Sequence, residues 1–294
     1  MRLAPLAALV LAASPALAHP GWGIVVDGEG AVYYTDLKQV LRIGPHGGTT
    51  VAVPNVHTHE LYLDAAGTLH GEHLWYESAT ETWSHYDWEL SKKGLVRGPA
   101  QKGFRTEGVF VKDAAGNSYW LDGSRLRKKP PAGEVVDIEL PRPADAKGGV
   151  VATAPDGTVY VSSGGEILRV GTDRSVARMA VNLNEHTWTS ITSQPWHYLM
   201  GLAPDAKGNV YVANLGARKV KKVSPDGKIE VVLDASFPWA PAGIAVSSRG
   251  IYVLEYTDTG GSARVRRIDD KGRATLVALT PRPRGRVGVE SAAA

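Results

Sequence analysis

One pattern recurs six times along the chain, and it decides what the chain can fold into. An apolar strand runs into a turn containing Gly or Asp and returns as a strand centred on an aromatic residue. It reads GIVVDGEGAVYY at 23–34, ELYLDAAGTLHG at 60–71 and VFVKDAAGNSYW at 109–120. It returns as VVATAPDGTVYV at 150–161, GLAPDAKGNVYV at 201–212 and GIAVSSRGIYV at 243–253. The anchor falls at Tyr33, His70, Tyr119, Tyr160, Tyr211 and Tyr252, at spacings of 37 to 51 residues. That is the length of a four-stranded blade, which buries its apolar faces only by stacking on neighbours.

Each repeat continues into a second hairpin, as in VLRIGPHGGTTVAV (40–53), ILRVGTDRSVARMAV (167–181) and VKKVSPDGKIEVVL (220–233). Alternation around Gly-containing turns predicts antiparallel pairing. Four strands in each of six repeats predict an all-β fold, a six-bladed β-propeller with four-stranded antiparallel blades. The second repeat is less regular, with WELSKKGLVRG at 88–98. Segments 75–87 and 183–199 lack a strand-turn-strand signal and are expected to be insertions, leaving no seventh blade.

Residues 1–18, MRLAPLAALVLAASPALA, combine Arg2, a short apolar run and an Ala-Leu-Ala ending. They predict a bacterial-type signal peptide cleaved after Ala18, and hence a periplasmic or secreted protein. The propeller is expected over 19–280 and a flexible tail over 281–294. The apolar run is too short for a membrane span, and no other stretch approaches one. A net charge of +3 over 294 residues is no footprint for nucleic acid. The absence of Cys removes thiolate nucleophiles and Cys-ligated metals. There is no Gly-rich phosphate loop, Gly-x-Ser-x-Gly elbow or HExxH helix.

GLAPDAKGNVYVAN and GIAVSSRGIYVLEY resemble NHL repeats and the blades of the senescence marker protein/gluconolactonase-like superfamily. The resemblance covers residues 20–280. It implies the six-bladed fold and, for the gluconolactonase-like enzymes, a divalent metal acting on a small ester or lactone. Where those enzymes often carry a metal-holding Asn before Gly-Leu-Ala, this chain has Met200. Where an Asp commonly ends the following strand pair, it has Asn214. A metal here therefore has to be held by other side chains.

In a propeller the first strand of each blade lines the channel. The loop entering it and the loop after the second strand lie at the same end. The entering loops supply His19, Trp22, His57, His59, Glu60, Glu107, Trp196 and His197. The loops after second strands supply Glu72, His73, Asn214 and Glu255. His57 and His59 are two apart and project to one side of an extended chain, a start for Zn or Cu. The expected metal ligands are His57, His59, His73, His197 and His19, for a divalent ion that is Zn, Ca or Cu. Glu60, Glu72 and Glu107 are the candidate ligands or general base. Peptidyl-hydroxyglycine lyases, which are similar NHL-like propellers, imply that a His-ligated zinc suits such a channel. Trp22, Trp75, Trp196, Asn214 and Glu255 are the candidate ligand-binding residues.

Two other readings stand beside this one. Trp-rich loops suit a non-catalytic module that binds a protein, a glycan or a small molecule. A mature N-terminal His19 would offer its amine and imidazole to copper, while Pro20 has no amide hydrogen to contribute. Other residues carry structural expectations. His70 packs, His46 is surface, and His85 and His186 are exposed in the insertions. Asp64 and Asp113 shape turns. The basic clusters at 125–129, 218–222 and 264–267 form solvated strand faces.

Overall fold

The computed structural model describes residues 21–104, 110–141, 149–183, 199–257 and 261–280. The expected leader at 1–18 and tail at 281–294 lie outside them, as do His19, Glu107, His186, Trp196 and His197. The described residues are organised as strands, and no helix among them is long and apolar enough to cross a membrane.

The strands form six antiparallel meanders, one for each repeat. Blade one holds β1 (Ile24–Val26), β2 (Val32–Thr35), β3 (Val40–Ile43) and β4 (Thr49–Val53). Blade two holds β5 (Tyr62–Leu63), β6 (Leu69–Glu77), β7 (Thr82–Ser91) and β8 (Gly94–Arg97), with β9 (Gln101–Lys102) folding back onto β7. Blade three holds β10 (Phe110–Lys112), β11 (Ser118–Asp122), β12 (Arg125–Lys129) and β13 (Val136–Glu139). Blade four holds β14 (Val151–Thr153), β15 (Val159–Ser163), β16 (Glu166–Val170) and β17 (Val176–Ala180). Blade five holds β18 (Leu199–Pro204), β19 (Val210–Asn214), β20 (Lys219–Val223) and β21 (Ile229–Asp234). Blade six holds β22 (Trp239–Ser247), β23 (Gly250–Thr257), β24 (Ala263–Ile268) and β25 (Ala274–Thr280).

Two local causes generate the repeat. In the turn between first and second strands, Asp27 accepts the amides of Glu29 and Ala31 at 3.0 and 2.8 Å. Asp64, Asp113 and Asp205 make the same pair of bonds in their blades. The turn requires a left-handed residue three positions after the Asp, and Gly30 supplies it at φ +83°. The six anchors then occupy one register position, from Val25 opposite Tyr33 to Ala245 opposite Tyr252. His70 holds that place in blade two, stacked on Tyr62 at 4.7 Å and bonded to Asp64 at 3.1 Å.

The first strands touch in a closed circle: β1, β5, β10, β14, β18, β22 and back to β1. Among the described residues no strand is exchanged between the first and last blades, and packing with a few bonds joins them. Buried Tyr256 donates to the Thr35 carbonyl at 2.7 Å, and Tyr34 meets Thr280 at 3.0 Å. A Cβ at Gly243 would lie 2.4 Å from the Trp22 carbonyl, so the blades close this tightly only with glycine there. Apolar side chains of blades one and six, among them Ile24, Tyr34, Leu254 and Val265, form a continuous core across the junction.

Three expectations are corrected. Segment 75–87 is not an inserted loop: it continues β6 and β7 into a long hairpin with Trp75 opposite Ser84 and Tyr76 opposite Trp83. His85 is accordingly not exposed but buried, its Nδ1 2.8 Å from the Gly103 carbonyl. The basic clusters are not uniformly solvated. Lys221 and Arg218 are buried, and Arg264 and Arg266 turn inward onto Glu255. Third strands lie between neighbouring blades, and alternation alone does not say which of their faces meets water.

Candidate functional site

The loop from β4 to β5 carries His57 and His59, and it is fastened on every side. The Trp22 and Gly23 amides both donate to the His59 carbonyl, at 2.8 and 2.7 Å. Leu74 donates to the His57 carbonyl at 3.0 Å. Between the two histidines, buried Thr58 accepts the Trp88 indole N–H at 3.1 Å and donates to the Glu72 carbonyl. Its own carbonyl accepts the Thr35 hydroxyl at 2.8 Å. The loop therefore presents its imidazoles from a braced frame rather than a mobile tether.

The side chains meet as the sequence spacing predicts. The rings of His57 and His59 lie 4.6 Å apart, edge to face. His57 Nδ1 is 2.8 Å from the Leu37 carbonyl, which can only accept. The proton thus sits on Nδ1, and Nε2 is the acceptor nitrogen of the ring. A backbone carbonyl on the far nitrogen is the arrangement that orients metal-ligating imidazoles.

His73 joins the pair in a different role. Its Nδ1 accepts the His57 amide hydrogen at 2.7 Å, so the neutral ring carries its proton on Nε2. As placed, His73 positions the loop, and its Nε2–H is a donor. Burial, with the nearby charges of His57 and Arg97, pushes its pKa down to about 4. The unfolded chain binds this proton near the ordinary histidine value, so the contribution of His73 is fully present above about pH 6.5. It is lost as pH falls toward 4. The metal-free protein is expected to lose denaturation midpoint between pH 6.5 and 4, and His73→Asn, which keeps an acceptor but does not titrate, flattens that slope. An identical slope in the variant overturns this assignment.

Aromatic rings bracket the histidines. Trp22 stacks on His59 at 6.2 Å, Trp75 stacks on His73 at 5.2 Å, and Tyr86 lies 4.9 Å from His73. These flat surfaces stand beside polar nitrogen atoms, a combination that suits a small cyclic ligand. Glu60 directly follows His59 in the chain, and both Glu60 and Glu72 are partly buried. Spacing alone missed the roles of Thr58, Trp88 and Tyr86. The signal was the length of the β6–β7 hairpin, which carries Trp88 and Tyr86 back toward the loop.

Met200 and Asn214, the two positions compared with the gluconolactonase-like metal residues, and the candidate binding residue Glu255 are all engaged within the fold. Met200 is buried in the core. Asn214 caps a turn through Ala217 and donates to the Leu183 carbonyl at 2.7 Å. Glu255 is fully buried, and its oxygens are held by Arg264 and Arg266. Among the described residues no three His, Asp or Glu side chains converge as a complete ligand set. The His57–His59 pair brings together two imidazoles, donors whose chemistry fits a transition metal.

No protein-family model matches the chain, and no curated protein sequence matches it. Solved structures do. Virginiamycin B lyase from Staphylococcus aureus matches at 14% identity and TM-score 0.51, over 90% of this chain and 85% of that one. A streptogramin B lyase matches at 15% identity and TM-score 0.53, with the same coverage. Puromycin hydrolase, as an S511A mutant complexed with PGG, matches at 14% identity and TM-score 0.54, over 89% of this chain and 54% of that one. Identities this low speak to architecture: the chain is a six-bladed β-propeller, similar in overall architecture to the streptogramin lyases.

Proposed function

We propose that the chain is an exported small-molecule enzyme that opens a small ester or lactone, with a divalent transition metal held by His57 and His59. The observation that carries this reading is the His57 tautomer: Nδ1–H is committed to the Leu37 carbonyl, which makes Nε2 the acceptor nitrogen of a ring 4.6 Å from that of His59 on a braced loop. Two imidazole nitrogens favour Zn or Cu over Ca, which takes oxygen ligands. Such a metal, when bound, polarises a carbonyl and lowers the pKa of a bound water. His197 and His19, outside the described residues, are the candidates to complete the set. Glu60, Glu72 or Glu107 serves as proton acceptor. Trp22 and Trp75 hold the flat face of the substrate, while His73 keeps the loop in register and its Nε2–H donates to a substrate oxygen.

The test is the metal content of untagged protein purified from the periplasm, beside a His57→Ala/His59→Ala double variant. Stoichiometric Zn or Cu in the parent is expected, with metal and lactone hydrolysis both lost in the variant. A folded parent that holds no metal and takes up none on titration overturns the reading. The bracketing rings favour one second reading, a non-catalytic module for a glycan or other small ligand. That module would bind in the presence of chelator and fail in Trp75→Ala. Copper bound through His19 instead would vanish when one residue is added before it.

A further inference from the structure

We propose that Arg264 and Arg266 form an oxyanion-binding site at the junction of blades five and six. Glu255 has no solvent exposure, and both of its oxygens are occupied. Arg264 donates Nε to Oε2 at 2.8 Å and Nη2 to Oε1 at 3.3 Å. Arg266 donates the equivalent pair at 2.6 and 2.6 Å. Two guanidinium groups thus share one carboxylate, which leaves a positive charge where water is largely excluded. Neither guanidinium has a buried nitrogen lacking a partner, so the donors not used on Glu255 face solvent. The side chains are 15% and 17% exposed, enough to be reached and little enough to strengthen a charge-assisted bond.

The site has a floor and a fixed orientation. The Arg264 guanidinium lies 4.3 Å over the Trp239 ring, which holds its fork in one plane. Tyr256 reaches Thr35 on blade one, so Glu255, on the opposite face of β23, looks toward blade five. Arg218 of blade five donates to the Trp239 carbonyl at 3.1 Å, adding a further cation to the same junction. Rigid forks with outward N–H groups recognise a carboxylate or a phosphate group through paired bonds. Glu255 here is a positioning residue: it aims both forks and neutralises one of them.

Calorimetric titration of the full chain with sodium acetate and with sodium phosphate, at fixed ionic strength and pH 7, tests this. Saturable binding is expected, weakened at least tenfold in Arg264→Gln and unchanged in Arg273→Gln, whose side chain is 72% exposed. Tighter acetate identifies a carboxylate ligand and tighter phosphate a phosphoryl one, and either supports the site. Glu255→Gln keeps the shape of the acceptor and removes its charge, so it should tighten the anion several-fold even if it lowers stability. Absence of binding to the parent, equal affinity in Arg264→Gln, or no tightening in Glu255→Gln overturns the proposal.

Discussion

Trp88→Ala is expected to destabilise the protein by about 3–5 kcal/mol, the usual cost of emptying a large buried aromatic site. Trp88 is 2% exposed and packs with Val40, Val53, Leu61 and Leu69 where blades one and two meet. Its ring lies directly over Gly71, where a Cβ would come within 2.2 Å, so this side of the site is shaped to the indole and carries no side chain of its own. The indole N–H also holds Thr58, the residue between the two histidines. Losing it leaves Thr58 Oγ1 without that donor and frees the loop that sets the His57–His59 geometry. At roughly 2–4 °C per kcal/mol for a chain of this size, the thermal midpoint should fall by about 10 °C. Metal affinity or turnover should fall with it in the fraction that remains folded. Trp83→Ala, at 38% exposure on the far face of the hairpin, should cost under about 1 kcal/mol. Equal effects from the two would show that burial at Trp88 does not organise this end of the propeller.

The contrast between Trp88 and Trp83 also marks what the sequence disclosed. Six blades were legible because a turn with Gly at its left-handed position and the anchor residue after it recur in fixed order, the turn opening on Asp in four blades, on Ala154 in blade four and on Ser247 in blade six. The β6–β7 hairpin was not. Its residues are aromatic on both faces, Trp75 and Tyr86 on one and Tyr76 and Trp83 on the other, so the apolar–polar alternation that announces a strand disappears. His85 was misread for the same reason, because its partner is the Gly103 carbonyl 18 residues away, just past the short β9. The His57–His59 juxtaposition followed from the two-residue period of an extended chain. The different role of His73 did not, because it depends on which nitrogen carries a proton, and spacing does not encode that. Likewise, alternation placed Arg264 and Arg266 on one face of β24. That the face is closed by a neighbouring blade is a tertiary fact.

That closed face carries the second large effect. Glu255→Ala should destabilise the protein by about 3–5 kcal/mol, because it removes the one carboxylate between two guanidinium groups and strands both charges at a buried junction. The loss is electrostatic rather than a matter of volume, and a triple variant separates the two causes. Glu255→Met combined with Arg264→Met and Arg266→Met deletes every charge while keeping long apolar side chains. It should recover most of the lost stability, since exchanging a buried ionic cluster for packed hydrophobic groups is often neutral or better. Some deficit should persist, because Arg264 also covers Trp239 with its guanidinium and stem. Urea midpoints of the parent, the single and the triple variant decide it. A triple variant as unstable as the single would mean that the guanidinium groups support the blade junction by packing. A recovered one would mean that the charges at this junction are held at a cost to stability, as expected of side chains kept for a ligand.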